Sequence, residues 1–181
     1  MVDQLALPLA ISAFLFPALM IVAGAGDVLS MRIPNWLTVL VAVTFLPLAL
    51  WAGLPPTVLL IHVATGIAAL AGGFLLFSLG LIGGGDAKLL AAGAVWFGFP
   101  GILAFLVYTA LAGGVLAVAV SLWSALRVEA EVHELDRRGV FRSIMPEVPY
   151  GFALAAGAIL ASPSAGWWMA AGPPDGRLFY S

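Results

Sequence analysis

Long apolar runs dominate the chain, and only short polar or glycine- and proline-rich segments interrupt them. A helix needs about 20 largely apolar residues to cross the hydrocarbon core of a bilayer. Only 9% of the residues are charged, whereas soluble domains carry roughly 25% and need them to cover a water-facing surface. We therefore predict an all-α, polytopic membrane protein that forms a single domain over residues 1–181.

About six transmembrane helices can be placed along the chain, and the fourth of them is short. The predicted spans are Leu7–Gly26, Trp36–Gly53, Thr57–Ile82, Ala87–Gly98, Ile102–Leu126 and Pro149–Ala171. No Lys or Arg precedes the first span, as a cleaved secretory signal would require, so this span is interpreted as retained. A helix as short as the fourth crosses a bilayer only if the bilayer thins or the flanking loops dip inward.

The distribution of basic residues predicts the orientation. If the short fourth segment crosses, nearly all Lys and Arg residues fall on one side of the membrane. They are Arg32, Lys88, Arg127, Arg137, Arg138 and Arg142, with only Arg177 on the opposite side. Cytoplasmic loops collect Lys and Arg, so we predict six spans with both termini outside the cytoplasm. If the fourth segment turned back instead, four of these arginines would lie on the opposite side and the asymmetry would be lost.

Two further patterns concern the helices themselves. Apolar residues recur at helical spacing from Leu122 to Leu135, which predicts an amphipathic cytoplasmic extension of the fifth span that stops at Gly139. This extension is interpreted as a solvated helix, and the alternative is a surface that helps to present a substrate. The glycine pairs Gly72-Gly73 and Gly113-Gly114 predict close packing between helices.

Several classes of function are disfavoured by what the sequence lacks. It contains no cysteine, which removes thiolate catalysis and cysteine-ligated zinc, and its net charge of −2 gives no basic field for nucleic acid. His62 and His133 have no second histidine at metal-binding spacing. We interpret His62 as a packing residue or an interhelical hydrogen-bond partner, and we expect no metal and no cofactor.

Two aspartates at the ends of spans carry the predicted chemistry. Asp27 ends the first span and Asp86 follows the third, so the six-span topology places both at the cytoplasmic face and at one depth. An acidic side chain at membrane depth is costly and suggests a function by default. Two carboxylates around one water can share a proton, since like charges so close cannot both ionise readily. The ionised one can activate the water against a peptide carbonyl, while the protonated one polarises that carbonyl.

The neighbours of these aspartates have both structural and functional interpretations. The glycines before Asp86 can form a turn that lets a peptide approach closely, or a simple loop in which Asp86 caps the next helix. Arg32 is interpreted as a marker of the cytoplasmic side, and Pro34 with Asn35 suits the start of the second span. Lys88 either snorkels to the headgroups or, with Arg32, sets the field around the aspartates or meets an acidic substrate residue.

Three segments together resemble one family. Asp27-Val-Leu-Ser-Met-Arg-Ile-Pro-Asn35 is similar to the first aspartate motif of the type IV prepilin peptidases. Gly83-Gly-Gly-Asp-Ala-Lys88 resembles their second motif, the Gly-x-Gly-Asp of intramembrane aspartyl proteases. Val148-Pro-Tyr-Gly151 is similar to the Pro-aromatic-Gly sequence that opens a late span in the same family. The three motifs occur in the family's order.

The resemblance implies that Asp27 and Asp86 are the catalytic pair of an aspartic endopeptidase without a cofactor. The other motif positions would bind substrate or support the site; they are Arg32, Pro34, Asn35, Gly83, Gly85, Lys88, Pro149, Tyr150 and Gly151. The implied substrate is a prepilin, which carries a short basic leader ahead of a hydrophobic helix and is cut at the cytoplasmic face of a bacterial inner membrane. Contact with the pilus assembly machinery is left open.

The chain departs from the larger members of the family. Those carry an extra cytoplasmic region with paired cysteines that binds zinc, and they also methylate the new N-terminus. The absence of cysteine therefore favours a short form resembling the Flp-type, tight-adherence prepilin peptidases, without N-methyltransferase activity. Presenilin-like proteases share Gly-x-Gly-Asp but have a tyrosine before the first aspartate, where this chain has Gly26.

Two hypotheses outside this enzyme class remain as alternatives. Paired carboxylates in membranes also serve proton- or ion-coupled transporters, which usually place them near the bilayer midplane between repeats. Here both aspartates lie at span ends, which disfavours a transporter. The second alternative is a non-catalytic scaffold subunit of a pilus or secretion machine, in which the aspartates only cap helices.

Overall fold

The computed structural model describes residues 2–131 and 149–165, and within these ranges every regular element is helical. The elements are α1 (Val2–Ser30), α2 (Asn35–Trp51), α3 (Pro56–Ser78), α4 (Gly84–Glu131) and α5 (Tyr150–Ala161), followed by a 3-10 turn at Ser162–Ser164. The predicted all-α fold is confirmed for the described part of the chain.

Prolines and glycines set most helix ends. Pro34, Pro55 and Pro149 stand directly before α2, α3 and α5, where a preset φ favours helix initiation. α3 ends at Ser78 and not at the predicted Ile82, because Gly80 adopts a φ of 71°. Leu81 N–H then donates to Leu76 C=O at 3.0 Å, which closes a Schellman motif.

The predicted fourth and fifth spans are the two arms of α4, which meet at Gly98. Gly98 has a φ of 57° and a ψ of −174°, values that no helix allows. Phe105 stacks on Phe97 with ring centroids 4.7 Å apart, and a Cβ added at Gly93 would lie 2.9 Å from its ring. In a straight helix, positions 93 and 105 would be about 18 Å apart. The second arm therefore folds back along the first, and the break comes just before the predicted Phe99-Pro100-Gly101.

The helices have the composition of a membrane protein. Among the described residues, three helical segments are long and apolar enough to cross a bilayer, namely Leu7–Ser30, Pro56–Ser78 and Gly84–Ser124. Asn35–Trp51 and Tyr150–Ser164 are shorter apolar helices. Large apolar side chains such as Phe14 and Leu29 are 79% and 85% exposed, as lipid-facing positions are. The chain is a helical membrane protein, and the count of six spans stays a prediction.

An aromatic cluster joins the helices at their centre. Trp96 of α4 stacks on Phe16 of α1 at 4.7 Å and meets Phe45 of α2 edge-on at 5.6 Å. Its indole Nε1–H donates to Val41 C=O at 2.7 Å, so its polar group is satisfied away from water. His62 of α3 stacks on Phe45 at 4.8 Å and its Nδ1 lies 2.7 Å from Val95 O. The predicted packing and interhelical role of His62 is confirmed.

Some predicted features extend past the described residues. α4 continues as a helix to Glu131, which covers the start of the predicted amphipathic extension. The rest of that extension, with Gly139 and His133, lies outside the described residues, as does the end of the predicted last span after residue 165.

One member of each predicted glycine pair lies at a helix contact. A Cβ added at Gly73 would lie 3.1 Å from Ala87 Cβ and 3.2 Å from its carbonyl oxygen, whereas at Gly72 it would meet nothing within 4 Å. A Cβ added at Gly113 would lie 3.6 Å from Ala153 Cβ, whereas one at Gly114 would meet nothing within 4 Å. Gly73 therefore lets α3 approach the first turn of α4.

We expect Gly73→Leu to destabilise the protein by about 1–3 kcal/mol, because the new side chain would push α3 away from α4. Gly72→Leu is the matched control, one residue away on the same helix and facing open space. Thermal unfolding in detergent, followed by circular dichroism, measures both variants. Equal melting temperatures for the two variants would contradict the packing described.

Candidate active site

A cavity of about 570 Å³ lies where α1 ends and α4 begins. Its walls come from the last turn of α1, the link to α2 and the glycine-rich start of α4. The lining residues are Asp27, Ser30, Met31, Arg32, Ile33, Pro34, Asn35, Gly83, Gly84, Gly85 and Asp86. The structure thus brings the first two sequence motifs together around one space.

Asp27 lies in the last turn of α1, which continues past the predicted end of the first span at Gly26. The helix continues to Ser30, so Asp27 stands at the C-terminal end, where the helix dipole disfavours a negative charge. Its side chain is 6% exposed, and Oδ2 accepts a hydrogen bond from Gly151 N–H at 2.8 Å. Gly151 belongs to the first turn of α5, whose positive end offsets the unfavourable position.

Gly151 can approach Asp27 only because it has no side chain. A Cβ added there would lie 2.8 Å from Ile33 Cδ1 and 2.9 Å from Asp27 Oδ2. Pro149 and Tyr150, the other two residues of the third motif, do not line the cavity. Pro149 precedes α5 and accepts a hydrogen bond from Phe152 N–H at 3.1 Å, which positions the helix end that holds Asp27.

Asp86 is the third residue of α4, and its carboxylate is held at the start of its own helix. Oδ2 accepts a hydrogen bond from Gly83 N–H at 3.2 Å, as an acidic residue does at this position in a capping box. The predicted capping interpretation of Asp86 is therefore correct. The same carboxylate also lines the cavity, so capping and a chemical role are compatible.

Both carboxylates line this one cavity. One oxygen of each is fixed by a backbone amide, from Gly151 for Asp27 and from Gly83 for Asp86. A pair fixed in this way can bind one water and pass a proton between water, carbonyl and amine. The described residues contain no group of three or more His, Cys, Asp or Glu side chains that could hold a metal ion.

Ile33 is the residue that sequence reasoning missed. It is 9% exposed, and Cβ atoms added at Gly85 and Gly151 would lie 3.2 Å from its Cβ and 2.8 Å from its Cδ1, respectively. Ile33 therefore separates the second motif from the third and fixes their spacing. The only signal in the sequence was an apolar residue between Arg32 and Pro34, which is too weak to single it out.

The turn after α1 directs Arg32 to the cavity. Met31 has a φ of 50°, a left-handed conformation that costs a non-glycine residue about 1–3 kcal/mol. Ser30 Oγ donates to Gly26 C=O at 2.7 Å and lies 3.3 Å from Arg32 O, which holds the turn. The exposed Arg32 then lines the cavity beside Asp27.

Lys88 has a partner that neither sequence interpretation included. Its Nζ donates to Asn35 Oδ1 at 2.9 Å, which joins the first turn of α4 to the first residue of α2. Lys88 does not line the cavity, whereas Asn35 does. The bond links the first motif to the second from behind the cavity.

The fold and the cavity define a class: helical membrane proteins with a paired-carboxylate site at the ends of their helices. Residues 14–118, more than half of the chain, match the type IV leader peptidase family, and the protein belongs to that family. The resemblance seen in the motifs is thereby confirmed, and the protein is a peptidase of this kind. No curated protein and no solved structure matches the chain significantly. Gly151 lies outside the matched residues, although it contacts Asp27.

We expect Gly151→Ala to lower leader peptidase activity by on the order of 100-fold, since a shift of about 1 Å in a reacting group can have that effect. The added methyl group would displace the Asp27 carboxylate and break its hydrogen bond. Initial rates of precursor cleavage in detergent measure the loss.

Gly26→Ala is the control for this substitution, because Gly26 adjoins Asp27 but a Cβ there would meet no atom nearer than 4.0 Å. It should cleave at the wild-type rate. Comparable activity in Gly151→Ala and Gly26→Ala would show that the close approach of α5 to Asp27 is not needed.

Proposed function

We propose that the protein is an aspartic endopeptidase that removes the leader peptide of type IV prepilins, with Asp27 and Asp86 as its catalytic pair. The observation that carries this proposal is the shared cavity, which is lined by two carboxylates from different helices. The family supports a leader peptide as the substrate class. It also favours a peptidase over an ion-coupled transporter or a scaffold subunit.

The proposed mechanism uses one water held between the carboxylates. The ionised aspartate takes a proton from the water as its oxygen forms a bond to the scissile carbonyl carbon. The protonated aspartate donates a hydrogen bond to the carbonyl oxygen. When the C–N bond breaks, a proton passes to the leaving amine, and the products are a leader carboxylate and a new N-terminus. The pair acts as a unit, so the acid and base roles are not assigned to one residue each.

The other motif residues are proposed to shape this site. Gly83 and Gly85 keep the start of α4 open to an extended peptide, and Arg32 supplies a positive charge at the cavity wall. Pro34, Asn35 and Lys88 fix the start of α2 against α4. Pro149, Tyr150 and Gly151 form the helix start that holds Asp27.

We propose that the cavity opens to the cytoplasmic side of a bacterial inner membrane. Arg32 lines the cavity, and Lys88 donates a hydrogen bond to Asn35, another lining residue. Two basic residues therefore lie at this end of the protein. The second arm of α4 reaches this end as well, because a Cβ added at Gly113 would lie 3.8 Å from Cε1 of Tyr150, the first residue of α5. Arg127 comes later in the same arm. Basic residues gather on the cytoplasmic side of membrane proteins.

The absence of cysteine supports a narrower assignment, to prepilins of the Flp type and without N-methyltransferase activity. Under this proposal the mature pilin leaves the enzyme with an unmodified N-terminal amine. The mass of the mature N-terminal fragment measures this, and a fragment heavier by one methyl group, made with this protein alone, would contradict it.

We expect Asp27→Asn and Asp86→Asn each to reduce precursor cleavage by at least about a thousandfold, because an amide cannot exchange protons as a carboxylate does. Asparagine keeps the size and an acceptor oxygen, so both backbone hydrogen bonds can persist. Immunoblots of precursor and mature pilin in co-expressing cells measure the effect.

Asp3→Asn is the matched control, since it makes the same change about 36 Å away at the other end of α1. It should process the precursor normally. If either Asp27→Asn or Asp86→Asn cleaves at the wild-type rate while present at equal levels in the membrane, that residue is not catalytic.

A further inference from the structure

A second cavity, of about 380 Å³, forms a groove beside the candidate active site. α2 and α3 form its walls and the first arm of α4 forms its floor. Representative lining residues are Thr38 and Val39 of α2, Ile67 and Leu70 of α3, and Ala91 and Val95 of α4. Apart from Asn35 and Lys88 at one end and Thr38 in the wall, the groove is apolar.

The groove exists because α2 and α3 diverge. The turn between Trp51 and Pro56 joins them and both pack on α4, but they pack on each other much less than on α4. Phe45 of α2 and His62 of α3 do not line the groove, and they stack at 4.8 Å between it and this turn. Asn35 and Lys88 stand at the other end of the groove.

The end of the groove at Asn35 meets the active-site cavity. Asn35 lines both spaces, and Lys88, which donates a hydrogen bond to it, stands at the mouth of the groove. From Asn35 the groove follows α2 to Ala42, a distance of about 10 Å or two helical turns. Val39 and Ile67 on its walls are 58% and 64% exposed, so it is open to an occupant from the lipid.

We propose that this groove binds the first two turns of the substrate's apolar helix, directly after the scissile bond. The inference rests on the proposed function, because it takes the carboxylate cavity as the place of cleavage. Along a prepilin, a polar leader is followed by an apolar helix. The protein offers matching surfaces in the same order, because the charged cavity leads past Asn35 into the apolar groove. The helix then docks by its apolar face, as helices do in hydrophobic grooves.

Filling the groove tests this. Val39→Trp and Ile67→Trp should each raise KM for the full precursor about tenfold, equivalent to about 1.4 kcal/mol of binding. The increase in KM should be several times smaller for a short peptide that spans the cleavage site but ends before the apolar helix. Val43→Trp and Leu60→Trp are matched controls on the same helices, 59% and 69% exposed and outside the groove, and should match the wild type.

Equal losses on precursor and short peptide would overturn the proposal, because the groove would then only shape the catalytic cavity. Wild-type KM in both groove variants would overturn it as well. A slowed precursor together with loss of a co-purified phospholipid, and no contact with substrate in the cross-linking below, would assign the groove to lipid and also overturn it.

Cysteine cross-linking separates the groove from the chemistry, and it is possible because the chain has no cysteine of its own. In an Asp86→Asn background, Val39→Cys should form a disulfide with a precursor that carries one cysteine a turn beyond the cleavage site, and Val43→Cys should not. Equal or absent cross-linking at both positions contradicts the groove. Cross-linking at Val39→Cys with a precursor that the wild type never cleaves would refute the proposed function and leave the groove standing.

Discussion

The hydrogen bond from Gly151 N–H to Asp27 Oδ2, 2.8 Å long, is the contact on which the site depends. A buried carboxylate at membrane depth is costly unless it is hydrogen-bonded. Asp27 is also at the end of α1 where the dipole disfavours negative charge. The start of α5 supplies both an amide donor and a favourable dipole. Asp86 has the equivalent support from the start of α4, so two helix N-termini hold two carboxylates in one cavity.

Close packing of small residues makes this arrangement possible. Gly151 and Gly85 lie against opposite parts of Ile33, and Gly73 lets α3 reach Ala87 next to Asp86. The contacts of Ile33 join segments distant in sequence, and that of Gly73 joins two consecutive helices, so the carboxylates are placed by helix packing and not by a local loop. The hydrogen bond between Lys88 and Asn35 adds a polar link between α2 and α4 at the same level. The same packing separates α2 from α3 and leaves the groove.

The sequence was sufficient for features that depend on local signals. Apolar runs predicted the helices, prolines and glycines predicted most of their ends, and the motifs predicted that Asp27 and Asp86 would be near each other. It was insufficient where the outcome depends on contacts between distant helices. The hydrogen bond between Gly151 and Asp27 joins residues 124 positions apart, and the role of Ile33 depends on two glycines from other motifs. Neither produces periodicity or a recognisable pattern.

We infer that Asp27 and Asp86, which line one cavity, lie close enough to share a water. Replacing both with cysteine in this cysteine-free chain allows a direct measurement with dibromobimane, which becomes fluorescent only when it bridges two thiols a few ångström apart. We expect bridging in Asp27→Cys/Asp86→Cys and none in Val28→Cys/Asp86→Cys, where Val28 is 49% exposed on the neighbouring face of α1. Absence of bridging in the first pair, in folded protein in native membranes, would show that Asp27 and Asp86 do not form a pair.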